Sequence, residues 1–180
     1  MKALTFLTMV LLVLSFLGCI SSVNPLYTEN DVLFNPNLLG EWSDGEMKLT
    51  FTRQGENAYI LITSEDEGQA SYTTHLVQLD NSTYLDIYPL DTLENTYLFE
   101  ATHFPTHYIW KIEIMQEEIL LSEMDSQLGD ALIKDSLFDI PYVQSEDGWI
   151  LVTASTEKLQ KFFRENENLF IDPVVYRKEE

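Results

Sequence analysis

The sequence predicts a mainly β domain, an antiparallel meander that is strongly curved or closed into a barrel and carries two short helices. An open α+β sheet is the alternative. Three observations lead there. Apolar and polar residues alternate in run after run, as where Met47, Leu49 and Phe51 interleave with Lys48, Thr50 and Thr52; this gives a strand one core face and one wet face. The runs follow one another at hairpin spacing across short polar turns, so neighbours in sequence pair as neighbours in a sheet. Helical spacing of apolar residues occurs in two places, both late in the chain.

In chain order, the first segment is not part of that domain. Lys2 and the terminal amine give a small positive start, no charged residue occurs from Ala3 to Leu17, and Gly18-Cys19 is followed by Ser21, Ser22 and Asn24. This is the layout of an export signal. An apolar run of about 15 residues is short of the roughly 20 needed to span a bilayer as a helix. Cys19 is the single cysteine of the 180 residues. Its place resembles the lipobox of bacterial lipoproteins, with Leu17 standing where a small residue is commoner. The resemblance implies a diacylglyceryl group on the Cys19 thiol, loss of residues 1–18 and a stable membrane anchor, which takes more than one acyl chain. It implies a place in the cell envelope, facing away from the cytoplasm. Ile20, in place of an acidic residue, points to the outer membrane in a cell that has two. Two other readings stay open: an uncleaved anchor helix running into Ile20, and ordinary cleavage near Ser21-Ser22.

Residues 19–37 are polar, include Pro25 and Pro36, and read as a lipidated tether and loop. Residues 38–180 read as a single β-rich domain. About 160 mature residues bury roughly 68–70% of the unfolded chain's surface, so the core must suffice without disulfides. After the run at 47–52, Arg53-Gln54-Gly55-Glu56-Asn57 is a turn and 58–63 the return strand. A polar turn at 64–68 leads to a strand over 71–79, and Asp80-Asn81-Ser82 turns into another over 83–88. Tyr108, Trp110, Ile112 and Ile114 alternate with Lys111 and Glu113, turn at Gln116-Glu117 and return over 119–122. Asp125 is placed to cap a short helix towards Ile133, with Leu128, Leu132 and Ile133 on one side. Ser155 is placed to cap a second, from Thr156 to about Asn166, whose stripe is Leu159, Phe162 and Phe163. Asp172-Pro173 stops it, and Val174-Val175-Tyr176-Arg177 is the last strand.

The stretch Asn35-Pro36-Asn37-Leu38-Leu39-Gly40-Glu41-Trp42 resembles the opening of lipocalins, where a short helical turn leads into Gly-x-Trp on the first strand. The resemblance to lipocalins and related calycins implies that Trp42 closes a barrel floor and that Arg177 packs over its ring by cation–π attraction. The Thr-Asp-Tyr turn and the disulfides of lipocalins are absent, and 124–149 breaks the meander as lipocalins do not. The whole layout, from Cys19 through Pro25-Leu26-Tyr27 to Leu159-Gln160-Lys161-Phe162-Phe163, also resembles bacterial lipoproteins with no assigned activity.

Thirty acidic residues against ten basic give a net charge of −20. Such a chain repels nucleic acid and anionic head groups, and the acid reads as a solvated coat. Candidate chemistry is sparse. His103 and His107 fall on one strand face, with His75 or a carboxylate as a third metal ligand. Pro105 excludes a regular helix there, and histidines at a strand start are the plainer reading. Glu65-Asp66-Glu67 and Glu117-Glu118 lack the spacing of a calcium loop. No serine lies in Gly-x-Ser-x-Gly. The expectation is no metal, no cofactor and no enzyme activity. Two functions stay: a binding module whose interior, lined by Tyr59, Tyr72, Tyr84, Tyr88 and Trp110, takes an apolar or amphipathic ligand, and an envelope interaction protein with a solid core and an acidic surface.

Overall fold

The computed structural model describes residues 20–65, 68–91, 105–135, 137–145 and 148–179. In chain order the strands are β1 (Ile20–Ser22), β2 (Val32–Leu33), β3 (Gly40–Ser43), β4 (Lys48–Gln54), β5 (Ala58–Glu65), β6 (Gly68–Leu79) and β7 (Ser82–Asp91). Then come β8 (Tyr108–Ile114), β9 (Glu118–Ser122), helix α1 (Ser126–Lys134), β10 (Tyr142–Gln144), β11 (Ile150–Val152), helix α2 (Thr156–Glu165) and β12 (Val174–Lys178). From β3 to β9 each strand pairs with the next, and β12 pairs with both β9 and β3. The result is a closed, eight-stranded antiparallel barrel of calycin-like form with two short helices. An open α+β sheet is ruled out by the β12–β3 seam, which leaves no edge.

Alternation decides what fills the barrel. Leu49 and Phe51 of β4, Tyr59 and Leu61 of β5, Tyr72 and Leu76 of β6, Leu85 and Ile87 of β7 and Tyr108, Trp110 and Ile112 of β8 point inward. They join Trp42, Ile119, Leu121 and Tyr176 in one buried cluster. Eight strands enclose a bore just wide enough for such side chains. One end is plugged by the 3-10 turn Pro36–Leu38, where Asn35 caps by accepting the Asn37 N–H at 3.0 Å. The buried Tyr59 hydroxyl receives the Asn35 N–H at 2.6 Å and donates to its carbonyl at 3.1 Å. Phe34 stacks on Tyr59 with ring centroids 5.1 Å apart.

A second layer lies outside the wall. Val77 and Leu79 of β6, Tyr84 of β7 and Ile109 of β8 face outward into a cluster with Leu159, Phe162 and Phe163 of α2 and with Ile20, Leu26, Ile150 and Val152. The excursion between β9 and β12 begins and ends at one place. Asp125 N–H reaches the Leu169 carbonyl at 2.7 Å, and Ile171 N–H reaches that of Glu123 at 3.0 Å. Meander order therefore survives the interruption. Asp125 caps α1 through the Leu128 N–H at 3.2 Å, but Ser155 makes no side-chain cap. Its neighbour Thr156 instead donates to the Pro25 carbonyl at 2.8 Å.

That contact belongs to the largest departure from the sequence reading. The segment read as a tether is packed from Ile20 onwards. β1 runs parallel to β11, which in turn pairs with β10, and β2 continues the wall along β6 past the start of β5. Strands of two or three residues carry no periodicity of their own. They form here because apolar Ile20 and Leu26 find a ready apolar wall.

Candidate functional site

Three places gather polar or charged side chains. The first is the barrel floor. Trp42 is fully buried, and its indole N–H donates to the Leu38 carbonyl at 2.9 Å. The cation over its ring is the Lys178 ammonium, 5.1 Å from the centroid. Arg177 does not take that place: its side chain is 74% exposed and pairs with Glu118 at 3.3 Å. The reason is register. Tyr176 points inward, so Arg177 points out, and Lys178 sits opposite Trp42. Gly40, at φ +120°, leaves room for this, since a Cβ there would lie 3.4 Å from Lys178 Cε.

The second lies on the outer wall. Leu85 and Ile87 point inward, so Tyr84, Asp86 and Tyr88 point outward, and residues 22–27 are laid over them. Asp86 is 0% exposed. One oxygen lies 2.5 Å from His107 Nδ1 and the other accepts the Leu26 N–H at 2.6 Å. A buried carboxylate is tolerable when both oxygens are satisfied in this way. Ser22 and His107 exchange backbone hydrogen bonds at 2.8 and 2.7 Å. Gln160 of α2 donates to the Leu26 carbonyl and to Asp31, each at 2.8 Å. Tyr27 packs on His75 at 4.2 Å and Tyr88 on His107 at 4.7 Å. Burial pushes the His75 imidazole below its usual range, opposed by Asp86 and assisted by His107. An Asp–His pair orients a general base where a nucleophile stands beside it, but here the Ser22 hydroxyl donates to the Asn24 carbonyl at 2.8 Å. The arrangement is a clamp that holds the leading segment to the wall.

The third is the barrel mouth, opposite the floor. The inward parity of Leu61 and Thr63 along β5 continues to Glu65, and that of Ile119 and Leu121 along β9 continues to Glu123. Two carboxyls thus stand on the inner face at the same rim, above the inward Tyr108, Trp110 and Tyr176. Burial pushes the Glu123 carboxyl above its usual range, against Trp110 and Tyr108, which favour its charged form. Burial, and then the carboxylates of Asp44, Glu123 and Glu65, push the Tyr176 phenol far up. The Thr63 hydroxyl and one Glu65 oxygen are buried without a hydrogen-bond partner among the described residues. Glu123 and Lys178 escaped sequence reading, and Glu65 entered it only as a turn acid. Extending strand parity one step past each strand end was the signal that finds them. Asp86 had a signal too, a lone acid on the same strand face as two tyrosines.

Tyr59, Tyr72 and Trp110 lie inside as expected, but Tyr84 and Tyr88 do not. They share the outward parity of Asp86, and Tyr84 meets Phe163 of α2 at 5.4 Å. Cys19 and His103 lie outside the described residues, and His107 is committed to Asp86. Among the described residues no three His, Cys, Asp or Glu side chains are grouped to hold a metal ion, and no helix is long and apolar enough to cross a membrane. Comparison with family models, curated proteins and solved structures gives no match to this chain.

Proposed function

We propose that the chain is a lipid-anchored envelope protein, acylated at Cys19 and facing away from the cytoplasm. Ile20 after the cysteine favours the outer membrane where there are two. In this reading it is a non-enzymatic binding module whose amphipathic ligand puts a cationic head at the barrel mouth. The observation that carries the ligand reading is the pair Glu65 and Glu123 on the inner rim, partly withdrawn from water and without a counter-cation among the described residues. Desolvated carboxylates without a counter-charge are costly, and mouths of β-barrels are common ligand sites. A spread organic ammonium group relieves both acids, and among the described residues no three such side chains are grouped here to hold a compact metal ion. The packed interior favours a second reading, an envelope protein that engages another protein through its outer surface.

The anchoring arm is tested with a clickable palmitate analogue, which should label the wild type and not Cys19→Ser. Equal labelling of both sinks the lipoprotein reading. The ligand arm compares a dansylated long-chain amine with the matched fatty acid on the extracted protein. The amine should bind, and Glu65→Gln/Glu123→Gln should weaken it about tenfold, the equivalent of 1.4 kcal/mol. Equal affinity for amine and acid, or no effect of the double variant, overturns it in favour of the second reading.

A further inference from the structure

The small sheet that begins one residue after Cys19 has an apolar outer face that is not covered by any of the described residues. Ile20, Ser22, Ile150 and Val152 are buried against the body. Alternation turns Ser21, Leu151 and Val143 outward, with Val23 and Trp149 at the strand ends, and this mostly apolar set stands where a soluble surface would be charged. Val143 is 59% exposed, Val23 48% and Trp149 38%, with Leu151 half-buried among them. Registers place them together, Val143 beside Leu151 and Leu151 beside Ser21. No charged residue belongs to this set in a chain of net charge −20. The opposite, buried face is covered by the neighbouring helix, where Gly129 packs so closely that a Cβ there would lie 2.7 Å from Ile20 Cδ1.

We infer that this outer face, with Trp149 at its edge, lies directly on the lipid surface that holds the Cys19 anchor. The inference rests on acylation of Cys19. Consecutive Cα atoms are about 3.8 Å apart, so an acylated Cys19 leaves no tether between the lipid and a packed strand. The parallel register sets Ile20 beside Ile150, and Trp149 precedes Ile150 as Cys19 precedes Ile20. An amphipathic indole at that level suits the head-group region, where tryptophan is enriched. The occupant is therefore the anchoring bilayer itself rather than another protein. With a net charge of −20 the chain is repelled by anionic head groups, so zwitterionic lipid is the matching surface.

The test uses acylated full protein in phosphatidylcholine vesicles carrying a shallow doxyl-labelled lipid. Trp42 and Trp110 are buried, so quenching reports Trp149. The wild type should be quenched, Trp149→Phe should not, and Val23→Asp/Val143→Asp should lose quenching while keeping its acyl label and its melting temperature. A labelled, vesicle-bound protein whose Trp149 is not quenched overturns the inference and leaves the lipoprotein reading intact. A protein without acyl label removes both. A blue shift in detergent alone that grows with protein concentration assigns the face to a second copy, and also overturns it.

Discussion

Trp42 gives its N–H to the Leu38 carbonyl and its ring face to Lys178, and these two contacts have different worth. The indole is wholly desolvated, so Trp42→Ala should cost about 3–5 kcal/mol. Lys178 stands at the surface, where a cation over a ring is worth about 0.5–1 kcal/mol, so Lys178→Ala should cost that much. Arg177→Ala removes an exposed ion pair and should stay within about 0.5 kcal/mol of zero. Urea melts of the single and paired variants check this. A coupling energy near 0.5 kcal/mol belongs to the 42/178 pair and none to 42/177. Coupling of the reverse pattern would restore Arg177 to the floor. The calycin likeness named the right tryptophan and the wrong cation, because motif spacing tolerates a shift of one residue and strand parity does not.

Among the elements, the leading segment depends most on a single group. Asp86 ties Leu26 and His107 together from within the wall, and removing one member of a buried pair leaves its partners unsatisfied. Asp86→Ala should cost about 3–5 kcal/mol. It should open residues 20–31 to proteases before the barrel melts. Proteolysis that starts elsewhere, at an unchanged melting temperature, would remove the clamp role. Asp86→Asn keeps an acceptor for Leu26 and should cost less. The long strands and both helices were legible because their periodicity is local: β4 and β8 read as strands from their own residues. β1, β2, β10 and β11 were not, since two or three residues have no period and are held by partners distant in sequence. The mouth was illegible for a related reason, its acids being turn residues until the neighbouring strands fix which way they face.

For the whole molecule, two half-buried titrating groups pull stability in opposite directions. Burial holds His75 below its usual value near 6.5, so the unfolded chain takes up the proton first and stability falls as pH drops through that value. Burial holds Glu123 above its usual value near 4.5, so its ionised form is a penalty at neutral pH. That penalty is relieved as pH falls through the raised value towards 4.5. Urea melts should show His75→Phe losing less stability than the wild type between pH 7 and 5.5. Glu123→Gln should be more stable than the wild type at pH 7, with the gap closing towards pH 4. Parallel curves for all three proteins would contradict both assignments. The β12 seam adds a constraint of time. β12 is the last strand in chain order, and it completes pairing for β3 and β9, which both lie earlier. During synthesis, the barrel therefore stands open along two edges until residue 178 is delivered. Open edges recruit other strands, and pairings this distant in sequence form slowly. A chain stalled short of β12 is an aggregation hazard, so the five residues of β12 govern whether the barrel closes before its edges find another partner.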